Sequence, residues 1–330
     1  MVASPDMSET ETTWDGLPIA ADHPRGAGVV VRRPSGEFLL LHRHHNGPEY
    51  EGDWAWTSPS GARLPGEPIL AGAVRELYEE TGLSGCVLRP VDLSGPWAIF
   101  ATDVPDSATV VLDPEHDRYE WVTPAAAVQR LAPDPVVAAF QRGSTVALPS
   151  LTLRPLTHGD LPTLLEWFAE PHVAQWFPGP QSLTDAQTKY GPRIDGTHHV
   201  RVHLLEVDGR AAGFLQCYPL AAEPGYAADL TATAMDDPGA VAIDYLIGSP
   251  GLVGGGLGPQ AIWAYLRDVV LPAFPAAHSV LASPQAENTR SVRALEKAGF
   301  LHLGDAAVHS ANGVQQQSVC VLDRARVFGN

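Results

Sequence analysis

Apolar and polar positions run along this chain in blocks whose period switches between two and about 3.6 residues, and the switches mark its elements. From Gly26, AGVVVRRPSGEFLLLHRH reads as two apolar strands about a Pro-Ser-Gly turn, a hairpin. Between residues 61 and 83, GARLPGEPILAGAVRELYEETGL reads as a Gly/Pro-rich loop leading into a helix. Its Leu70, Ala73, Val74 and Leu77 recur at i, i+3, i+4 and i+7 and predict the buried stripe. Further strands are expected around Gly85–Pro90, Trp97–Thr102 and Thr109–Leu112. A strand through Trp121 then enters a helix opening at Thr123-Pro124, with Thr as N-cap and Pro in the first turn. Residues 1–24 are polar, acidic and aperiodic, a flexible tail by this pattern, and GSTVALPS closes the first half near residue 148.

The pattern restarts at Leu151 with a short strand, a turn and a helix carrying Leu161, Leu164, Leu165 and Phe168 inward. HVRVHLLEVDGRAAGFLQCYPL is two period-2 strands about Asp208-Gly209. AVAIDYLIG is a strand, followed by the glycine-rich SPGLVGGGLGPQ and a helix with Ile262, Leu266, Val269 and Val270 on its apolar face. SVLASP then leads into ENTRSVRALEKAGF, a helix stopped by Gly299. At 330 residues the chain exceeds the usual single-domain size. The pattern divides it into domains at 25–148 and 149–330, of α/β class.

Charge narrows the partners. The net charge of −17 is spread as −11 over residues 1–145 (10 basic, 21 acidic) and −6 over 146–330 (11 basic, 17 acidic). That argues against nucleic acid or an anionic membrane and suits small-molecule substrates, a cationic one among them. Three scattered cysteines give neither a disulfide framework nor a zinc spacing. With no membrane-length apolar run and no basic-then-apolar start, a cytoplasmic location is expected.

The stretch 61–83 carries the first chemistry on its helix. Glu76, Glu79 and Glu80 fall within about a 100° arc of it. Acids so close repel, and Arg75 offsets only one of them. A hard divalent cation with oxygen ligands removes that cost, whereas a solvated acidic face is the plainer alternative. The whole string resembles the Nudix box, G-x5-E-x7-R-E-U-x-E-E-x-G-U with U aliphatic. Gly61, Glu67, Arg75, Glu76, Leu77, Glu79, Glu80, Gly82 and Leu83 fill every fixed position. The family usually has Trp-x-x-Pro-Gly-Gly just upstream, where Trp56, Pro59 and Gly61 match and Ser60 departs. The resemblance implies an α/β/α sandwich on a mixed sheet. It implies Mg²⁺ or Mn²⁺ held by Glu76, Glu79, Glu80 and the Gly61 carbonyl, Arg75 orienting the glutamates, and a diphosphate substrate. It also implies a further base from a later loop: Glu115 stands at that position, with His116 and Glu120 as rivals and a solvated acid as the alternative.

The second chemistry is V-G-G-G-L-G opening a helix after a strand, where glycines let backbone N–H groups approach a phosphate. No Lys-Ser/Thr follows, so it is not a P-loop. It resembles the pyrophosphate loop R/Q-x-x-G-x-G/A of the GNAT acetyltransferases, with Gly256 and Gly258 at the glycine positions and Val253 in place of Arg or Gln. Downstream, Asn288, Glu296, Lys297, Gly299 and Phe300 match N-x-x-A-x-x-x-Y-E-K-x-G-F, but Leu295 replaces Tyr. The likeness covers most of residues 151–325 and, within the family, is strongest to aminoglycoside 6'-N-acetyltransferases, with siderophore-type hydroxylysine acyltransferases as competitor. It implies a mostly antiparallel sheet flanked by helices. Val253, Gly254, Gly255, Gly256, Leu257, Gly258 and Asn288 would hold acetyl-CoA, and Asp244 would manage the acceptor amine, unless Asp244 is a surface residue at a strand edge. Loss of the family Tyr leaves the general acid for the thiolate unassigned.

The sequence thus predicts metal-dependent hydrolysis of a nucleoside-diphosphate derivative joined to acetyl-CoA-dependent N-acetylation of a small amine. One silent domain that senses nucleotide or holds a homodimer is the alternative, as is a hydroxylamine or protein amine as acceptor.

Overall fold

The computed structural model describes residues 11–13, 16–45, 47–230, 237–310 and 313–329. The chain falls into two compact units, one of Met1–Leu88, Leu93–Thr145 and Arg326–Asn330, the other of Arg89–Asp92 and Val146–Ala325. Among the described residues no helix is long and apolar enough to cross a membrane.

The strands up to residue 122 are β1 (Gly26–Arg32), β2 (Phe38–Arg43), β3 (Trp56–Thr57), β4 (Ser60–Ala62), β5 (Arg89–Asp92, grouped with the second unit), β6 (Trp97–Asp103) and β7 (His116–Val122). The first unit's sheet runs β3-β2-β1-β6, with β4 on β1 and β7 on β2. β1 is antiparallel to β2 and β4 but parallel to β6, so the sheet is mixed. The apolar run of β2 is buried at five of its six positions, as in a strand covered on both faces. Helices α1 (Ile69–Thr81), α2 (Pro124–Arg130) and α3 (Asp134–Thr145) accompany it. Thr123 caps α2 as the sequence predicts, its hydroxyl accepting from the Ala126 N–H with Pro124 at the first turn.

Three expectations change here. Helix α1 buries Ile69, Gly72, Ala73, Leu77, Glu80 and Thr81, and leaves Val74 47% exposed, so the buried stripe is rotated toward the acids. Helical spacing alone fits either face; the sheet selects the one carrying Glu80. The segment 109–112 is not a strand: the Val111 N–H donates to the carbonyl of Thr81 at the end of α1 (2.9 Å). Part of the expected tail is held in place. Ala20 is fully buried, and the Arg63 guanidinium binds the Pro24 carbonyl (2.9 Å) and Asp22 carboxylate (2.5 Å). Residues 1–10, 14 and 15 of that tail lie outside the described residues.

The second unit is built on a seven-stranded sheet of β8 (Leu151–Pro155), β9 (Arg201–Val207), β10 (Arg210–Pro219), β11 (Val241–Ile247), β12 (Ser279–Ala282), β13 (Leu301–Ser310) and β14 (Gly313–Asp323), in the order β13-β14-β12-β11-β10-β9-β8. Among the described residues of this sheet only β11 and β12 pair in parallel. Helices α4 (Leu161–Ala169), α5 (Pro171–Ala174), α6 (Leu183–Ile194), α7 (Pro224–Leu230), α8 (Leu257–Tyr265), α9 (Leu271–Ala273) and α10 (Thr289–Lys297) flank it, and α11 (Arg324–Val327) follows β14. The β9–β10 hairpin turns at Asp208 (φ 50°) and Gly209 (φ 74°), the left-handed pair that matches strand twist. Leu164, Trp167, Phe168, Tyr190 and Phe214 interlock in its core, so Trp167 is a packing residue. Every residue of α8 except Gly258 is buried, and the helix continues through a π-helical turn, Leu266–Val270.

Candidate functional site

In the first unit the sequence-predicted acids assemble around Arg75. Its guanidinium grips Glu67 with two bonds (Nε–Oε1 2.8 Å, Nη2–Oε2 2.9 Å) and reaches Glu76 (2.7 Å), Glu79 (3.0 Å) and the Ala62 carbonyl (3.0 Å). Burial pushes the Glu67 carboxyl upward, but Arg75 and the Leu64 N–H outweigh it and hold the group below its ordinary range. Glu76 is different. Burial, with the charges of Glu79 and Glu115, lifts its pKa despite Arg75. The structure therefore brings Glu115 into the electrostatic field of this cluster.

Glu80 turns inward and is 3% exposed. Burial, then the Glu76 charge, drive its pKa well above the usual carboxylate range, against one hydrogen bond from the Ser60 N–H (2.7 Å). The buried His116 lies 3.8 Å from Glu80 through an Nε2 that has no hydrogen-bond partner, while its Nδ1 meets Asp113 (2.8 Å). Of the rivals to Glu115, His116 thus touches the acid cluster, whereas Glu120 is engaged by Arg130. Sequence spacing pointed to neither Asp113 nor the Ser60 amide: Ser60 meets Glu80 from β4, and Asp113 acts on it by charge from beside His116 at the start of β7.

Glu76 and Glu79 both turn toward Arg75, and among the described residues no group of three His, Cys, Asp or Glu side chains is placed to hold a metal ion. The donor chemistry fits a hard divalent cation: carboxylates on one helix face, one of them buried, beside a strand backbone. Gly61 supplies that backbone. A Cβ there would lie 2.1 Å from the Glu76 carboxyl carbon. Gly61→Ala is therefore expected to swing the Glu76 side chain aside at little cost in stability. Displacing a reacting group by about 1 Å costs on the order of 100-fold in rate. Hydrolysis rates and melting curves measured side by side check this.

In the second unit, Asp244 sits on β11 opposite Gln216 of β10, whose Nε2 donates to its Oδ2 (2.7 Å). It is half-buried on a strand that lies inside the sheet order, paired at this position with β10 and two residues beyond the pairing of β11 with β12, and burial raises its pKa above the ordinary Asp value. Beyond β11 the chain passes Val253 to Gly254 (φ 93°), Gly255 and Gly256 (φ 83°) before Leu257 opens α8. A Cβ at Gly254 or Gly255 would meet nothing within 4 Å, so open space lies over this loop. No side chain caps α8, leaving the N–H groups of its first turn, Leu257 and Gly258 among them, directed outward. Gly258 lets α8 approach α10, where an added Cβ would lie 3.3 Å from Ala294. The Asn288 side-chain oxygen accepts from the Ser291 N–H and caps α10. Leu295 on that helix is fully buried, and one turn earlier the Ser291 and Tyr245 hydroxyls pair (2.7 Å).

An acid cluster on α1 and a glycine loop before α8 thus stand on one polypeptide, each in its own unit. Residues 157–308 match the acetyltransferase (GNAT) domain and residues 22–140 the NUDIX domain. The chain belongs to the GNAT acetyltransferases and carries a NUDIX hydrolase domain ahead of that half. Aminoglycoside N(6')-acetyltransferase type 1 of Klebsiella pneumoniae is 31% identical over 159 residues, 47% of this chain and 76% of that protein. The protein of the same name from Serratia marcescens is 29% identical over 184 residues, 54% of this chain and 88% of that protein. The RNA pyrophosphohydrolase of Caulobacter vibrioides (strain NA1000 / CB15N) is 34% identical over 100 residues, 29% of this chain and 52% of that protein. A solved structure of AAC(6')-Ib in complex with coenzyme A shares 29% identity over 54% of this chain and 96% of that one, with a TM-score of 0.46.

Proposed function

We propose that residues 149–330 transfer an acetyl group from acetyl-CoA to a small, aminoglycoside-like amine, and that residues 25–148 hydrolyse a nucleoside-diphosphate derivative. One observation carries the first half: Asp244, hydrogen-bonded on β11, is followed along the same strand-to-helix run by a glycine loop and an uncapped helix start. The N–H groups of residues 253–258 would receive the cofactor pyrophosphate at the positive end of α8, with Asn288 at the start of α10 alongside. The acceptor arrives as an ammonium. Asp244 would hold it and take one proton; the freed amine nitrogen then bonds to the thioester carbonyl carbon, the C–S bond breaks, and the second excess proton on nitrogen passes to the departing CoA thiolate, giving an amide and the CoA thiol. A thiol has a pKa near 8.5, so its thiolate leaves readily without a tyrosine at Leu295.

For the hydrolase half, Glu76, Glu79, Glu80 and the Gly61 carbonyl would hold Mg²⁺ or Mn²⁺, which when bound neutralises phosphate charge and acidifies a water. Arg75 would keep Glu76 and Glu79 aligned on one side of α1. Glu115, whose charge is felt by Glu76, is the candidate base. Metal-dependent release of phosphate or nucleotide from diphosphate derivatives tests this half.

The acetyltransferase half is tested by CoA release with aminoglycosides, hydroxylamines and peptides assayed in parallel. Turnover with aminoglycosides is expected. Release with hydroxylamines or peptides alone would overturn the acceptor class, and no release with any amine would overturn the transferase reading. The fully buried Leu295, which offers no hydroxyl, favours as a second reading a silent C-terminal domain that senses nucleotide or joins two copies of the chain.

A further inference from the structure

Asp244 is one end of a relay across three elements. Gln216 of β10 donates through Nε2 to its carboxylate, and the same amide accepts through Oε1 from Nη1 of Arg193 in the last turn of α6 (2.7 Å each). Arg193 is set in turn against the ring of Tyr190 (5.3 Å from guanidinium carbon to ring centre), and its Nε is buried without a partner. Gln216 is itself buried. An amide is the side chain that completes this line, because it accepts from a guanidinium at one end and donates to a carboxylate at the other. A carboxylate in its place has no proton for Asp244; an apolar residue has neither function.

We propose that Arg193, acting through Gln216, is a positioning residue for Asp244, fixing the direction in which the carboxylate meets the acceptor amine. The inference rests on the acetyltransferase reading above and adds two residues to it. Groups facing Asp244 come from several elements: Lys189, Tyr190 and Arg193 of α6, Tyr218 of β10, Tyr226 of α7 and Tyr265 of α8. Burial raises the Asp244 pKa; the Gln216 hydrogen bond, then the Arg193 and Lys189 charges, work against that rise, as does a hydrogen bond from Tyr218. Losing Arg193 removes a cation and frees the amide together, so the carboxyl loses aim and gains proton affinity.

The test uses the full chain with Arg193→Met, Arg193→Lys, Gln216→Leu and Gln216→Glu, assayed with whichever amine the wild type acetylates. Partners one step behind a functional group typically contribute 10- to 100-fold. Arg193→Met and Gln216→Leu are expected to lower kcat by about that factor, leave acetyl-CoA binding by calorimetry intact, and move the acidic limb of kcat/KM upward by about one pH unit. Arg193→Lys is expected to recover part of the loss. Gln216→Glu, which sets a second carboxylate against Asp244, is expected to give the largest displacement of the limb. An acidic limb that stays in place while kcat falls in step with melting temperature would overturn the proposal. Should the wild type acetylate no amine, the transferase reading fails on its own. The relay is then judged by titrating ¹³C-carboxyl-labelled Asp in wild type and Arg193→Met, where an unmoved Asp244 titration sinks it.

Discussion

Glu80→Gln is expected to abolish hydrolysis by the first domain while making the metal-free protein more heat-stable. Both effects come from the same burial. The carboxyl is 3% exposed, receives one backbone N–H, and has Glu76 beside it, so its folded pKa lies well above its unfolded value. The sign follows from proton binding. Between the unfolded and folded pKa values the native state holds more protons than the unfolded chain, so stability falls as pH rises through that interval. Above its unfolded value the buried carboxyl must either keep its proton or ionise away from water, and both cost stability that a neutral amide does not. A gain of about 1 kcal/mol corresponds to roughly 4 °C for a domain whose size lies between the 60–100 and 150–250 residue classes. Scanning calorimetry of wild type and variant between pH 4 and 8, without divalent cation, checks the stability half. The gap is expected to widen as pH rises and to narrow when Mg²⁺ or Mn²⁺ is added, because a cation bound to the native state stabilises only the wild type. Unchanged hydrolysis in the variant would overturn the role given to Glu80.

The second large effect is on the acetyltransferase. Asp244→Asn keeps the shape and one acceptor for Gln216 but removes the base, and general-base losses of this kind are about 10²- to 10⁴-fold. Because burial raises the Asp244 pKa, the wild-type rate is expected to climb as pH passes upward through that value, where the protonated acid becomes a carboxylate able to take a proton. The variant is expected to lose that limb altogether. Calorimetry with acetyl-CoA should be indistinguishable between the two, since the glycine loop and the start of α8 are untouched. A variant that retains the wild-type pH profile would remove Asp244 from the mechanism.

Much of this protein follows from spacing along the chain. The order R-E-U-x-E-E fixes three acids on one side of a helix whatever surrounds it, because a rise of 3.6 residues per turn leaves no other angular arrangement. The Asp208-Gly209 turn commits the strands on either side to a hairpin, and Thr123-Pro124 commits the chain to start a helix. Gly254, Gly255 and Gly256 likewise declare an open backbone before a helix, and local sterics are enough to say so. The order of strands and helices was legible from such local rules, and both families from the resemblance of the two motif strings.

What the tertiary structure decided is which of several locally equal options is taken. Periodicity allowed α1 to bury Leu70 and Val74 or to roll toward its acids; contact with the sheet chose the second, exposing Val74 and driving Glu80 into a low-dielectric site where its proton affinity changes. The partners of the functional carboxylates also come from afar. Ser60 meets Glu80 across 20 positions, Gln216 meets Asp244 across 28, and Arg193 meets Gln216 across 23. No periodic rule links residues on separate strands and helices, since a hydrogen bond between them depends on register and packing. Sequence alone placed the acids, the glycines and the helices that bear them; burial and cross-strand pairing, which exist only in the folded chain, gave those acids their protonation and their aim.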